Sequence, residues 1–205
     1  MNPQQFFGPA SAWVVRWSHL LPPDARVLDV ACGSGRHVRW FAERGDRVTA
    51  VDRDAKVVAP LGQIAEIVVA DIETGPWPFN GRCFDAVVVT NYLWRARLPD
   101  IVAGVAAGGV LIYETFAVGN ETVGKPSRPA FLLQPGELLV AAAGLRIVAY
   151  EDGFEDATSA APARFVQRVV AVRTDPARTP APQHFPLQAS TFPAQLTSRD
   201  SEDSA

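Results

Sequence analysis

The fold of this chain is decided by one stretch, Val27-Leu28-Asp29-Val30-Ala31-Cys32-Gly33-Ser34-Gly35-Arg36. Its first half is a short apolar run, which predicts a buried strand, and its second half is a glycine turn. The segment 37–44 follows at once and has apolar residues at helical spacing. This order of strand, turn and helix aims the free N–H groups and positive dipole end of the helix at the turn. We therefore expect a ligand at this turn, on the carboxyl edge of a parallel sheet.

Two common glycine-loop motifs do not fit the stretch. The dinucleotide-binding fingerprint requires a third glycine three residues after Gly35, and Val38 occupies that position. The phosphate-binding loop requires Lys and then Ser or Thr after its last glycine, whereas Arg36 and His37 follow here. An NAD-dependent oxidoreductase is therefore the least favoured of the functional interpretations below.

The pattern that fits, Asp29-x-x-x-Gly33-x-Gly35, resembles the first motif of class I S-adenosylmethionine (SAM) methyltransferases. In that family an acid near the end of the first strand precedes three alternating glycines. Ala31 occupies the position of the first family glycine. Because alanine carries a Cβ, we expect ordinary backbone geometry, with a negative φ, at Ala31. The resemblance implies that these four residues contact the cofactor.

Asp52 closes the second predicted strand, 47–51, about 20 residues beyond the glycine turn. A carboxylate at this place in a βαβ unit accepts hydrogen bonds from ribose hydroxyls. The alternative is that Asp52 caps the helix that starts at Ala55, although Asp54 is the better cap candidate.

The third predicted strand, 65–70, is also followed by an acid, Asp71. The resemblance implies that Asp71 reaches the adenine amino group and that the backbone N–H of Ile72 faces the ring. The alternative for Asp71 is an Asx turn at the start of a loop.

The fourth predicted strand, 83–90, is a continuous apolar run, which suits burial on both faces of a parallel sheet. By resemblance, Asn91 after its end contacts the methionine half of SAM. Tyr92, Trp94 and Phe116 are weaker candidates for the substrate-facing side, where aromatic rings stabilise a cationic methyl group. Plain packing explains each of these three rings equally well. The Asn/Asp-Pro-Pro-Tyr/Phe motif of amino-adenine methylases is missing, which argues against that chemistry.

The remaining segments complete an α/β pattern of helices and strands. We predict helices over 11–21 and 98–107, a strand over 110–115, an active-site loop over 116–133 that selects the acceptor, and two last strands over 145–150 and 165–172. The predicted fold is a Rossmann-like, doubly wound, seven-stranded and mostly parallel sheet with a C-terminal antiparallel hairpin strand. The resemblance covers residues 11–173 and is nearest to small bacterial methyltransferases akin to the tellurite-resistance and thiopurine enzymes.

Composition sets the limits of the domain. Of 205 residues, 48% are hydrophobic, enough for one domain with a full core, which we place at 1–173. Residues 174–205 hold five prolines and few large apolar side chains, so we expect a disordered tail. The tail carries four acidic and two basic residues, which leaves 18 acidic and 17 basic residues in the domain. This balance argues against a nucleic-acid surface.

The two cysteines show neither a disulfide framework nor metal-ligand spacing, and no apolar run is long enough to span a membrane. We expect a cytoplasmic protein without a metal. Its predicted function is SAM-dependent methyl transfer to a small-molecule acceptor. The alternative is a non-catalytic SAM- or nucleotide-binding regulatory module, which formation of S-adenosylhomocysteine (SAH) would distinguish. No catalytic residue is assigned, because His37 is as well suited to capping and Glu114 is either a base or a packing group.

Overall fold

The computed structural model describes residues 8–158, 161–178 and 184–187. Its core is one seven-stranded sheet in the order β3-β2-β1-β4-β5-β7-β6. The first five strands are parallel, and β7 runs antiparallel to both β5 and β6. This topology confirms the predicted fold class. The strands are β1 Arg26–Val30, β2 Arg47–Asp52, β3 Glu66–Val69, β4 Phe84–Thr90, β5 Val105–Phe116, β6 Arg146–Glu155 and β7 Arg164–Val172.

Helices cover both faces of the sheet. Successive residues of β1 point to opposite faces, so that Val27 joins one hydrophobic cluster and Leu28 the other. The first three helices pack on the face of Val27, and the last two pack on the face of Leu28. Both faces are therefore buried, as the continuous apolar strands predicted. The helices are α1 Ala12–Trp17, α2 Arg36–Glu43, α3 Ala55–Val58, α4 Leu98–Ala103 and α5 Glu137–Ala141.

The predicted helix over 98–107 is too long, because α4 ends at Ala103 and β5 already begins at Val105. Val105 pairs with Phe84 at the start of β4, and the register then shifts so that Val110 pairs with Ala86. The extra residues form a bulge, and the pairing of β4 with β5 outweighs the helical tendency of the alanine-rich segment.

The predicted loop after β5 is folded against the sheet. It contains two short 3-10 helices, Asn120–Thr122 and Pro129–Phe131. Asn120 is buried, and its side chain donates to the carbonyl of Pro126 and accepts from the N–H of Phe165. The loop is thus anchored to β7, and its role in acceptor selection stays a prediction.

Most of the predicted tail lies outside the described residues. Of its described parts, 174–178 leaves β7 through a short 3-10 helix, and 184–187 lies against the domain. The Phe185 ring lies 5.1 Å from the guanidinium of Arg146, and Nε2 of His19 lies 2.9 Å from the carbonyl oxygen of Pro186. Across the described part of the chain, no helix combines the length and the apolar character that crossing a membrane requires.

Candidate functional site

The glycine turn after β1 contains three residues with positive φ. Gly33 and Gly35 have φ of 53° and 80°, and Ala31 has φ of 53°. The expectation of ordinary geometry at Ala31 is therefore wrong. The cause is the tie between the turn and β2, where the N–H of Cys32 bonds to the carbonyl of Val51 at 3.0 Å. Holding alanine in the left-handed region costs about 1–2 kcal/mol.

The two glycines of the turn have different surroundings. A Cβ added at Gly33 would meet no atom within 4 Å, so this part of the turn is open. A Cβ at Gly35 would lie 2.5 Å from Cδ1 of the fully buried Leu61. Gly33 therefore leaves bare backbone available to a ligand, and Gly35 permits close packing on Leu61.

Asp52 at the end of β2 joins the glycine turn to the next helix. Its Oδ2 accepts from the N–H of Gly33 at 2.9 Å, and its Oδ1 accepts from the N–H of Asp54 at 3.0 Å. Asp54 is the N-cap of α3, since its Oδ1 accepts from the N–H groups of Lys56 and Val57. Asp52 is therefore not the cap of this helix. Each of its oxygens keeps a lone pair for a further donor.

Asp71 after β3 makes the Asx turn that its alternative interpretation predicted. Its carboxylate accepts from the Thr74 hydroxyl at 2.7 Å and from the N–H of Glu73 at 2.9 Å. These hydrogen bonds hold the pKa of Asp71 below its ordinary value, and the bond from the Thr74 hydroxyl has the largest effect. The turn fixes an ionised carboxylate at the rim of the cavity described next.

A cavity of about 270 Å³ lies at the carboxyl ends of β1, β2 and β3. Five residues singled out in the sequence meet there, including Tyr92, which the sequence indicates as a weaker candidate for the substrate-facing side. Trp94 and Phe116 do not line this cavity. The lining residues are Ala31, Asp52, Arg53, Ala70, Asp71, Ile72, Glu73 and Tyr92.

A larger cavity, about 700 Å³, opens at the other edge of the sheet, near the amino ends of the same strands. Three arginines line it, and each forms an ion pair. The pairs are Arg26 with Asp85, Arg47 with Asp24, and Arg82 with Glu66. Since these charges are balanced within the protein, the smaller cavity beside the glycine turn is the better candidate site.

Asp29 lies beneath the glycine turn and is 1% exposed. It accepts a hydrogen bond from the N–H of Val38, while its Oδ2 is buried with no partner among the described residues. Burial raises the pKa of Asp29 to about 7, against the opposing effect of the nearby Arg36. An unpaired carboxylate oxygen behind the turn favours a cationic ligand in front of it.

His37 is buried at the start of α2 and is not available as a base. Its Nε2 accepts from the backbone N–H of Ser11 at 3.1 Å, and its Nδ1 lies 3.4 Å from Oγ1 of Thr90. Burial lowers the pKa of His37 to about 3, so the ring is neutral. Because the Nε2 lone pair is used, Nδ1 carries the hydrogen and faces Thr90.

The other candidate base, Glu114, lies near the end of β5, and both of its carboxylate oxygens have partners. Its Oε1 accepts from the Ser11 hydroxyl at 2.9 Å, and its Oε2 pairs with Arg168 and lies 3.6 Å from Arg164. Sequence reasoning missed this cluster, because its members come from three distant segments. It also missed Arg36, which lies in the decisive stretch and contacts Thr90.

Asn91 directly follows β4 and adopts φ of 55°. Its N–H donates to the carbonyl of Glu114 at 2.9 Å, so the chain turns away from the sheet here. The two aromatic residues that follow lie on this turn, and neither Tyr92 Oη nor Trp94 Nε1 has a partner among the described residues.

Comparison with known proteins finds similarity over the same segment. Residues 27–107 match the family described as "Methyltransferase domain". The malonyl-[acyl-carrier protein] O-methyltransferase of Serratia marcescens is 36% identical over 107 residues, which are 48% of this chain and 41% of that protein. The protein-L-isoaspartate O-methyltransferase of Chlorobaculum tepidum is 28% identical over 105 residues, 48% of each chain. The chain thus spans less than half the length of these curated relatives.

Solved structures share the fold. TehB from Haemophilus influenzae superposes with a TM-score of 0.66 at 20% identity, over 80% of this chain and 63% of that one. A SAM-dependent methyltransferase from Methanosarcina mazei gives a TM-score of 0.61 at 15% identity, over 77% and 96% of the two chains. At these identities the likeness concerns the fold alone.

Proposed function

We propose that this chain is a class I SAM-dependent methyltransferase and transfers the methyl group of SAM to a small-molecule acceptor, as its matched domain and its fold support. The observation that carries the proposal is the cavity beside the glycine turn. It gathers Asp52, which its place in the βαβ unit assigned to a ribose, with Asp71 and Ile72, which the resemblance assigned to the adenine. Its volume, about 270 Å³, is close to the lower end of small-molecule pockets.

The residues of the cavity fit the nucleoside end of SAM. Asp52 has one free lone pair on each carboxylate oxygen, which suits the two ribose hydroxyls. Asp71 offers a fixed acceptor for the adenine amino group, beside the apolar Ile72. We place the methionine end over Gly33, where the backbone is open, and beside Asn91.

When bound, SAM supplies a methyl group on a sulfonium. The sulfur leaves as a neutral thioether when the methyl group is transferred. The chain then has mainly to position the acceptor in line with this methyl group. Neither His37 nor Glu114 is free to take a proton from the acceptor. We therefore propose an acceptor atom that is already unprotonated at neutral pH. The curated relatives described above are both named O-methyltransferases, so a carboxylate oxygen is the first acceptor to test.

Turnover distinguishes this proposal from its alternative, a non-catalytic SAM-binding regulatory module. The experiment incubates the purified chain with SAM and a panel of small carboxylic acids and measures SAH by chromatography. Formation of SAH that depends on both the acid and the enzyme supports methyl transfer. Tight SAM binding without turnover on carboxylate, thiol or amine panels would favour the regulatory module.

We propose further that the protein works in the cytoplasm, without nucleic acid or membrane partners. Both cysteines, Cys32 and Cys83, are free, which suits a reducing compartment. The near-balance of charge in residues 1–173 gives no support to a nucleic-acid partner. Cell fractionation tests the location.

A further inference from the structure

Two arginines of one 3-10 helix, Arg95–Arg97, tie the chain after β4 to two different segments. The helix begins three residues after Tyr92, which lines the candidate cavity. Arg97 reaches the turn after β3, and Arg95 reaches the loop that precedes α5. Neither arginine lines the cavity itself. Any effect of these two side chains on a ligand of the cavity must therefore pass through the segments that they contact.

The guanidinium of Arg97 uses all three of its nitrogens. Its Nε donates to the carbonyl oxygen of Ile72 at 2.6 Å, and its Nη2 donates to the carbonyl oxygen of Gly75. Its Nη1 donates to Oδ2 of Asp100 at 2.8 Å, which orients the group. The side chain is 20% exposed, so water competes little for these donors. The planar fork holds both carbonyls at once, which an ammonium group cannot do.

The two carbonyls belong to the tight turn 71–75, which presents Asp71 to the cavity. The N–H of Gly75 donates to the carbonyl of Asp71 at 2.9 Å and closes the turn. A Cβ added at Gly75 would lie 2.6 Å from that carbonyl oxygen, so the turn has little room to change shape. The turn thus fixes Asp71 and Ile72, which both line the cavity, and Arg97 fixes the turn to the chain after β4.

We propose that Arg97 is a positioning residue for the adenine of SAM. The inference rests on the proposed function, in which the Asp71 carboxylate accepts from the adenine amino group and the N–H of Ile72 faces the ring. Hydrogen bonds weaken steeply when donor and acceptor are misaligned. By holding the carbonyls on either side of the turn, Arg97 keeps the carboxylate and the N–H group in the relative position that recognises the amino group.

The experiment compares two ligands that differ only at one position of the purine. SAH carries an amino group there, whereas S-inosylhomocysteine carries a carbonyl oxygen and a proton on the adjacent ring nitrogen. The oxygen would face the carboxylate of Asp71, and the proton would face the N–H of Ile72. The wild type should therefore bind SAH at least about tenfold more tightly. Calorimetry on the full chain measures both ligands.

The matched control is Arg95→Gln. Arg95 also donates to two backbone carbonyls, those of Ala130 and Leu132, and to one carboxylate, that of Glu137. Its loss removes a similar set of hydrogen bonds from the same 3-10 helix, but the contacts lie outside the turn 71–75. Both variants should therefore lower the unfolding temperature, while the control keeps the wild-type preference for SAH.

Arg97→Gln should weaken SAH binding roughly tenfold and S-inosylhomocysteine binding less than about twofold, because only SAH depends on the aligned pair of groups. Arg97→Lys should fall between the wild type and Arg97→Gln, because lysine holds one carbonyl instead of two. As the milder change, it carries the same test if Arg97→Gln does not fold.

Four results would overturn the inference. If the Arg97 variants keep the wild-type preference for SAH, Arg97 supports only the fold. If Arg95→Gln reduces the preference as much, the effect is a general loosening of the 3-10 helix. A wild type that binds both ligands equally would contradict the role of the turn in adenine recognition and leave the proposed function intact. A wild type that binds neither would overturn the proposed function and this inference with it.

Discussion

The backbone N–H of Gly33 donates a hydrogen bond to Oδ2 of Asp52 at 2.9 Å. This bond ties the turn after β1 to the end of β2, so the two elements that flank the candidate site hold each other in place. The same carboxylate is our proposed acceptor for the ribose hydroxyls. In our proposal, one residue therefore fixes the shape of the turn and also binds the nucleoside.

Asp52→Ala should weaken SAM binding roughly 10- to 100-fold, because a charge-assisted acceptor for the ribose is lost and water replaces it only in part. The variant should also unfold at a lower temperature, since two backbone N–H groups lose their acceptor at a cost of about 1 kcal/mol each. Asp52→Asn should lie between the wild type and Asp52→Ala. Calorimetry and thermal unfolding measure the two effects.

The matched control for Asp52 is Asp54→Ala. Asp54 caps α3 but does not line the cavity, so its loss should cost about 1 kcal/mol of stability and leave SAM affinity within about threefold. Normal SAM binding by Asp52→Ala would show that Asp52 does not contribute to the cofactor site.

The two glycines of the turn provide a second prediction. Gly33→Ala places a Cβ in open space at a φ of 53°, so the variant should lose only the cost of the left-handed backbone, about 1–2 kcal/mol, while SAM binding falls because the methyl group covers the exposed backbone. Gly35→Ala brings a Cβ to 2.5 Å from Leu61 and should lower the unfolding temperature much more. Denaturant unfolding and SAM titration of both variants test this contrast. Equal effects on stability would contradict it.

The sequence was sufficient to predict the sheet and the meeting of Asp52 and Asp71 at one edge of it. Buried parallel strands are continuous apolar runs, and the acids that follow β2 and β3 come together because parallel strands end at one edge. The geometry at Ala31 could not be predicted, because the bond from Cys32 to Val51 that fixes it joins residues far apart in sequence. For the same reason β5 begins earlier than its residues suggest.

The polar cluster around Glu114 was invisible in the sequence. Its hydrogen bond with Ser11 spans 103 positions, and its ion pair with Arg168 spans 54. Neither pairing follows a local rule such as helical spacing or turn chemistry. From the sequence, Glu114 was therefore a candidate base. The contacts of both its carboxylate oxygens in the structure argue against that role.

Asp29→Asn tests the unpaired carboxylate beneath the turn. The folded-state pKa of Asp29, about 7, lies above the ordinary value for an unfolded chain, so stability falls as the pH rises from about 4 to 7. As the pH rises from 5 to 8, the stability of the variant relative to the wild type should increase by roughly 2–3 kcal/mol, because the variant has no carboxyl group to ionise. It should bind the cationic SAM several-fold more weakly. No change in the pH dependence of unfolding would contradict this assignment.

His37→Gln should have the opposite pH dependence. The folded-state pKa of His37, about 3, lies below its unfolded value, so the wild type loses stability as the pH falls below about 6.5. From pH 7 to pH 5 the wild type should lose roughly 2 kcal/mol relative to the variant, in which the Gln side-chain oxygen still accepts from Ser11. Urea unfolding at the two pH values measures the difference. A constant difference would mean that His37 has the same pKa in the folded and the unfolded protein, and would contradict its burial as a neutral ring.

The most direct test of the central claim is the binding of SAM, SAH and NAD to the purified chain, each measured by the shift in unfolding temperature. The account predicts that SAM and SAH stabilise the wild type by about 2.7 kcal/mol at 100 times their Kd, and that Asp52→Ala requires much higher concentrations for the same shift. NAD should give no shift. Stabilisation by NAD alone, or SAM binding that Asp52→Ala leaves unchanged, would contradict the assignment of the cavity to SAM.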